Sequence, residues 1–220
     1  MPTHGELHVE VFLDSVFGEN AYLVWTGRDA WVFDPSFPPQ TERILAALRA
    51  RDLTLHGILI THGHADHIAG VGPIRNACPQ AAIYAPQGEL NMLIDAHANL
   101  SAQFGVPIVA PAADHPAAPG DTLRLGGLSL RALDVSGHSP GGLAYYCPAA
   151  GVVFTGDSLI PGSIGRTDFP GGSLARLLAN IRDHLLTLPG ETVVYSGHGP
   201  PSTIATERAE NPFLNGEYEE

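Results

Sequence analysis

Gly57-Ile58-Leu59-Ile60-Thr61-His62-Gly63-His64-Ala65-Asp66-His67 decides the reading of this chain. The first four residues are an apolar run of the kind that forms a short buried strand. The last six hold three histidines and one aspartate, a density with little structural purpose. The same grammar recurs later. Leu130–Val135 runs into Ser136-Gly137-His138, Val152–Phe154 into Thr155-Gly156-Asp157, and Val193–Tyr195 into Ser196-Gly197-His198. Each is an apolar strand followed by a small residue, a glycine, and then His or Asp. In layered α/β folds, ligands sit beyond the carboxyl ends of strands. One edge of the molecule is therefore expected to display His62, His64, Asp66, His67, His138, Asp157 and His198.

Taken singly, each of these residues has an ordinary explanation. A lone histidine at a strand end is usually structural, and Asp66 suits the start of a helix. Seven together point to metal. Imidazole and carboxylate donors suit Zn, Fe or Mn, with zinc the first choice, and do not resemble a soft thiolate site. Seven donors are too many for one tetrahedral ion. They suit two divalent ions about 3.5–4 Å apart that share a carboxylate and lower the pKa of a shared water toward 7. The remaining histidines, His4, His8, His56, His97, His115 and His184, lack that context and read as surface or structural.

Composition removes the competing chemistries. The 220 residues contain 11 basic residues, all Arg, against 23 acidic ones, a formal charge of −12. Without lysine there is no Schiff-base or P-loop lysine. The negative charge works against nucleic-acid binding. The two cysteines, Cys78 and Cys147, are too far apart to form a CxxC pair. No apolar run approaches membrane-spanning length. The first residues lack the basic and apolar regions of a signal peptide, so a cytoplasmic location is expected.

The rest of the chain alternates short strands with helices. Strands are predicted at Leu7–Leu13, Ala21–Trp25, Ala30–Phe33, Gly57–Ile60, Ala82–Tyr84, Thr122–Leu125, Leu128–Val135, Leu143–Cys147, Val152–Thr155 and Thr192–Ser196. Helices are predicted at Gln40–Ala50, Ala65–Asn76, Gln87–Ala98 and Ser173–Leu188, and a short one near the end before a frayed terminus. Ser101–Gly120 reads as a loop or lid. This order implies two packed sheets with helices outside, in one domain over residues 1–220.

The His62–His67 string, followed in order by His138, Asp157 and His198, resembles the signature of metallo-β-lactamase superfamily hydrolases. The resemblance implies an α/β fold, a four-layer αββα sandwich of two mixed sheets. It also implies one metal on His62, His64 and His138, a second on Asp66, His67 and His198, and Asp157 bridging them. Asp66 and Asp157 would then be the catalytic carboxylates.

The segment Gly162–Gly172, with Arg166, Asp168 and Phe169, is similar to a stretch shared by glyoxalase II-like hydrolases and persulfide dioxygenases. Thr203–Phe213 also resembles the compact glyoxalase II-like branch. The implied partner is a small molecule, such as the glutathione thioester S-lactoylglutathione. Arg166, nine residues past Asp157, is placed to pair with a substrate carboxylate. Asp168 is placed either to orient a ligand histidine or to join Arg166 in an internal ion pair. Only 22 residues follow His198, too few for the C-terminal helical domain of longer glyoxalase II enzymes. Two further readings share the same ligands. One is a mononuclear iron persulfide dioxygenase using His62, His138 and Asp157; the other is a hydrolase of another ester or a lactone. A fold kept only as a metal-binding scaffold is disfavoured, because no ligand is missing.

Overall fold

The computed structural model describes residues 3–4 and 6–216. The first sheet contains, in spatial order, β1 (Thr3–His4), β2 (Leu7–Leu13), β3 (Asn20–Thr26), β4 (Asp29–Phe33), β5 (Thr54–Leu59), β6 (Ala82–Pro86) and β7 (His115–Ala117). Pairing is antiparallel from β1 to β4 and parallel from β4 to β7. The second sheet is built from β8 (Thr122–Leu125), β9 (Leu128–Asp134), β10 (Leu143–Cys147) and β11 (Val152–Gly156). A small hairpin of β12 (Leu159–Ile160) and β13 (Ser163–Ile164) follows. β14 (Val193–Ser196) and β15 (Ser202–Thr203) then complete the second sheet in the order β15-β14-β11-β10-β9-β8. Only β11 and β14 pair in parallel there.

Helices α1 (Gln40–Ala50), α2 (Ala65–Ile68), α3 (Val71–Ala77), α4 (Leu90–Ile94), α5 (Leu174–Asn180) and α6 (Ile204–Glu210) complete the layers. Three apolar clusters define the layering. Ile44, Leu48, Val71 and Ile74 from α1 and α3 pack on Leu23, Val32 and Ile58 of the first sheet. Tyr22, Val24, Trp31 and Phe33 meet Leu130, Tyr145, Val152 and Phe154 between the sheets. Leu177, Leu178 and Ile204 from α5 and α6 cover Ala144, Val153 and Val194 on the far side. The alternation of Tyr22, Leu23 and Val24 along β3 puts successive side chains into different clusters, as a pleated strand buried on both faces requires. This is the four-layer αββα arrangement expected from the sequence.

Three local expectations are corrected. The helix expected over Ala65–Asn76 is broken into α2 and α3 at Gly70. Its N–H meets the Pro35 carbonyl at 2.6 Å, and a side chain there would lie 2.6 Å from the carbonyls of Pro35 and Ser36. The helix expected over Gln87–Ala98 is a 3₁₀ turn, Gln87–Glu89, followed by only one short helix, α4. Within the expected loop Ser101–Gly120, β7 adds an edge strand, held where the Asp114 carboxylate accepts the Ile83 N–H at 2.8 Å. Its Pro116 is tolerated because an edge strand leaves one side unpaired. The helix expected over Ser173–Leu188 continues past α5 as a π-helical turn, Ile181–Leu185, still burying Ile181 and Leu185. The short terminal helix is present as α6. The frayed end expected beyond it falls on residues 217–220, outside the described residues.

Candidate metal centre

The turns after β5, β9, β11 and β14 meet at one edge, where the two sheets come together. His62 and His64 lie in the turn between β5 and α2, and Asp66 and His67 on α2 itself. His138 follows β9, Asp157 follows β11, and His198 follows β14. All seven residues singled out in the sequence are thus brought together.

They form two groups. His62, His64 and His138 can offer ligand atoms within 4.8 Å of one another, and so can Asp66, His67 and His198. In the first group the rings of His62, His64 and His138 lie 4.7–4.9 Å apart, nearly perpendicular to one another. His138 Nε2 is 2.9 Å from His64 Nδ1. Asp157 stands between the groups. One of its oxygens is 3.7 Å from His138 Nε2 and 3.4 Å from His198 Nε2, and the other is 3.3 Å from His67 Nε2. Asp66 lies 3.6 Å from His198 Nε2.

The donor set fits metal ions. Among the described residues, His62 Nε2, His67 Nε2 and Asp157 Oδ1 are buried and make no hydrogen bond. Buried polar atoms normally have partners, so three orphans converging on one space are a strong sign of a cation. The opposite ring nitrogens are occupied. Thr61 Oγ1 lies 3.2 Å from His62 Nδ1, the Arg166 carbonyl 2.7 Å from His138 Nδ1, and Asp34 Oδ2 3.0 Å from His67 Nδ1. For His138 and His67 these acceptors hold a proton on Nδ1 and turn Nε2 toward the site.

Electrostatics divide the two groups. Burial, reinforced by neighbouring histidines, holds His62 well below the usual imidazole range and brings His64 down to about 4. Burial also opposes charge on His67, but Asp157, Asp66 and Asp34 outweigh it and raise that ring well above its usual value. His198 likewise rises to about 10, because Asp157 and Asp66 overcome its burial. The same contacts with His67 and His198 hold Asp66 and Asp157 below the usual carboxylate range, despite burial.

Asp34 has no place among the residues picked from sequence. Besides His67, its carboxylate accepts the Thr61 N–H at 2.7 Å and the Thr61 hydroxyl at 2.6 Å. It takes a left-handed backbone conformation (φ 45°), which aspartate tolerates better than most residues. Its signal was an acid directly after the apolar strand Ala30–Phe33, without the glycine that marks the other four strand ends. Asn20 and Tyr22 were also missed. Asn20 Nδ2 donates to the Ser196 and Gly199 carbonyls at 3.1 and 2.7 Å, and the Tyr22 hydroxyl donates to Ser196 O at 2.6 Å, fixing the turn that carries His198.

Arg166 and Asp168 lie at the rim and are exposed. Asp168 accepts two hydrogen bonds from the Arg166 guanidinium, at 2.7 and 2.6 Å, and so forms the internal ion pair. A ligand histidine does reach this segment, but His138 finds the backbone carbonyl of Arg166 and not the Asp168 carboxylate. The guanidinium lies 4.1 Å over the Phe169 ring, which packs edge-on against His64 with centroids 5.4 Å apart. Among the described residues, no helix is long and apolar enough to cross a membrane.

Comparison with known proteins agrees with this geometry. The metallo-beta-lactamase superfamily model matches residues 14–198. The probable metallo-hydrolase YqgX of Bacillus subtilis (strain 168) is 40% identical over 198 residues, covering 90% of this chain and 92% of the relative. Hydroxyacylglutathione hydrolase GloC of Haemophilus influenzae is 32% identical over 212 residues, covering 95% and 99%. Among solved structures, BLEG-1 B3 metallo-beta-lactamase superposes with a TM-score of 0.89 at 37% identity, covering 96% of this chain and 100% of that one. TTHA1623, in a di-iron-bound form, superposes at 0.82 with 38% identity, covering 94% and 100%.

Proposed function

The chain belongs to the metallo-β-lactamase superfamily, and on that premise we propose that it is a di-metal hydrolase of acyl thioesters such as S-lactoylglutathione. The observation that carries the reading is Asp157, whose carboxylate faces histidines of both groups and keeps one buried oxygen unpaired. Similarity to a hydroxyacylglutathione hydrolase over nearly the whole chain supports the substrate class. In this proposal residues 1–220 act as one metallo-β-lactamase-like domain.

His62, His64 and His138 would hold one divalent ion, and Asp66, His67 and His198 the other, with Asp157 shared. Zinc is the first choice, and iron or manganese suit the same donors. Two such ions, when bound, supply a hydroxide nucleophile near neutral pH and Lewis-acid stabilisation of the carbonyl oxygen. The chain's own groups do the rest. Asp66 accepts a hydrogen bond from the attacking oxygen and keeps it aimed at the thioester carbon. Asp34 keeps His67 in the tautomer that faces the site. Arg166, held by Asp168 and Phe169, presents its outer N–H groups to a substrate carboxylate at the rim. The new C–O bond forms as the carbonyl electron pair moves onto oxygen, and the C–S bond breaks when that pair returns. The thiolate leaves without a strong general acid, because a thiol ionises at about pH 8.5, far below an alcohol, and it takes its proton from solvent afterwards.

The test is metal quantification on the purified chain, followed by a panel of thioesters, lactones and β-lactams. Two ions per chain and thioester hydrolysis that stops on chelation are expected. One iron per chain, with oxygen uptake on glutathione persulfide and no hydrolysis, would replace this reading with the dioxygenase.

A further inference from the structure

One fully enclosed acid is not used by the chemistry above. Glu89 ends the 3₁₀ turn before α4 and is 1% exposed. One of its carboxylate oxygens accepts the Gly63 N–H at 2.6 Å, and the other accepts the Gly141 N–H at 2.7 Å. Gly63 lies between His62 and His64, in the turn that leaves the first sheet. Gly141 lies three residues past His138, in the turn that enters β10 of the second sheet. A single side chain therefore ties together the two backbone segments that carry the first ligand group.

We propose that Glu89 is a positioning residue that sets the spacing between the His62–His64 turn and the His138 turn, and through it the geometry of the first metal site. The three rings come from segments 74 residues apart, yet His64 and His138 sit 2.9 Å apart nitrogen to nitrogen. Apolar contacts between the sheets do not fix such a distance closely, because they are non-directional. A carboxylate does, because its two acceptor oxygens are held by covalent geometry and both bonds are charge-assisted. Only an acid can fill the position. Glutamine has one acceptor oxygen, and its NH₂ group would face a backbone N–H.

The surroundings leave the clamp little slack. A side chain at Gly63 would lie 2.5 Å from Met92 Cβ, and one at Gly141 would lie 3.0 Å from Gly88 Cα. The turn that carries Glu89 and both ligand turns are thus in close contact. Glu89 sits at the break between the 3₁₀ turn and α4, where sequence periodicity predicts a continuous helix.

The inference rests on the ligand groups proposed above but not on the substrate. The experiment strips metal from the full chain and titrates Zn²⁺ against a chromophoric chelator, in the wild type, Glu89→Gln, Glu89→Asp and Gly141→Ala. Near-UV circular dichroism checks the fold. The expected result is a loss of tenfold or more in affinity for one ion, with the other ion within twofold of wild type. In a His64→Ala background the Glu89→Gln change should cost little more, because the site it tunes is already broken. Gly141→Ala strains the same junction without touching the carboxylate, and it carries the test if the Glu89 variants do not fold. A folded Glu89→Gln chain that keeps both affinities overturns the inference, and so does an equal loss at both sites. A wild-type chain that binds no zinc, iron or manganese overturns the ligand assignment and the clamp with it.

Discussion

Replacing Asp34 separates its role in the fold from its role at the metal. Asp34→Ala strands three buried donors at once: the Thr61 N–H, the Thr61 hydroxyl and the His67 Nδ1–H. Each stranded donor costs about 1–3 kcal/mol. Even at the low end, about 3 kcal/mol is lost. For a chain of this size that lowers Tm by at least about 6 °C. Asp34→Asn keeps the shape and the acceptor for the Thr61 N–H. The Thr61 hydroxyl can rotate to accept from the new NH₂ group, so the fold should survive. His67 cannot adapt without cost. Facing a donor, its Nδ1 must become an acceptor, so the one proton kept by the neutral, metal-binding ring moves to Nε2, the atom that faces Asp157 and Asp66. Metal binding at the Asp66–His67–His198 group then falls about 10–100-fold, the range found when such outer partners are removed. Chelator competition on the folded variant measures this, with thermal melts run in parallel. An Asp34→Asn chain that melts normally and binds both ions at wild-type affinity would refute the tautomer argument.

Asp157→Ala should lose at least one ion per chain and most hydrolytic activity, read by elemental analysis and initial rates; full activity with one ion would sink the shared-carboxylate reading. Arg166→Ala should raise KM about fivefold for thioesters that bear a carboxylate, the size of one exposed charged contact, with kcat within about twofold; a lower kcat at constant KM would remove Arg166 from binding. In the metal-free chain, the His198 pairing is worth most below its unfolded value of 6.5 and is lost as pH rises toward about 10. Metal-free Tm should therefore fall over that window while the loaded chain gains stability, and melts of both forms across it check the crossing. Calorimetry in buffers of different ionisation heat should find few protons released with the first ion and at least one with the second.

The convergence of the seven residues on one edge was legible because each lies just past a strand, in one of four turns that contain a glycine. The layers were legible too, since β3 and β11 read as unbroken apolar runs and α1 as an amphipathic helix. What stayed hidden depends on contacts that leave no local pattern. Asp34 directly follows the predicted strand Ala30–Phe33 and precedes Pro35, with no motif around it, and only the fold brings it to His67. Asp168 was a fair candidate to orient a histidine, but the guanidinium two residues away takes both its oxygens. The acceptor that His138 found is a backbone carbonyl, which any residue type supplies. Glu19, between Gly18 and Asn20, belongs to no motif or apolar run in the sequence. In the structure it is fully buried 3.9 Å from His67, and burial drives its carboxyl well above the usual range. Edge strand β7 is three residues long and contains a proline, so no periodicity could reveal it.

The two proposed ligand groups differ for a reason that the geometry makes plain. His62 and His64 face mainly other histidines, so burial is opposed by little and both rings sit neutral, ready to ligate. His67 and His198 face Asp66 and Asp157, and His67 also faces Asp34. Without a cation, Asp34 (buried) and the partly buried Asp66 and Asp157 would stand close together uncompensated, which is costly. The fold meets that cost by holding protons on His67 and His198, so the imidazolium rings stand where positive charge is required. A divalent ion can enter the second group only by expelling those protons, because a ligand histidine must be neutral. The first group asks for no such exchange at His62 and His64. If both groups hold ions as proposed, affinity at the second must rise with pH more steeply than at the first, because the carboxylates that would ligate there are the same groups that set its pH dependence.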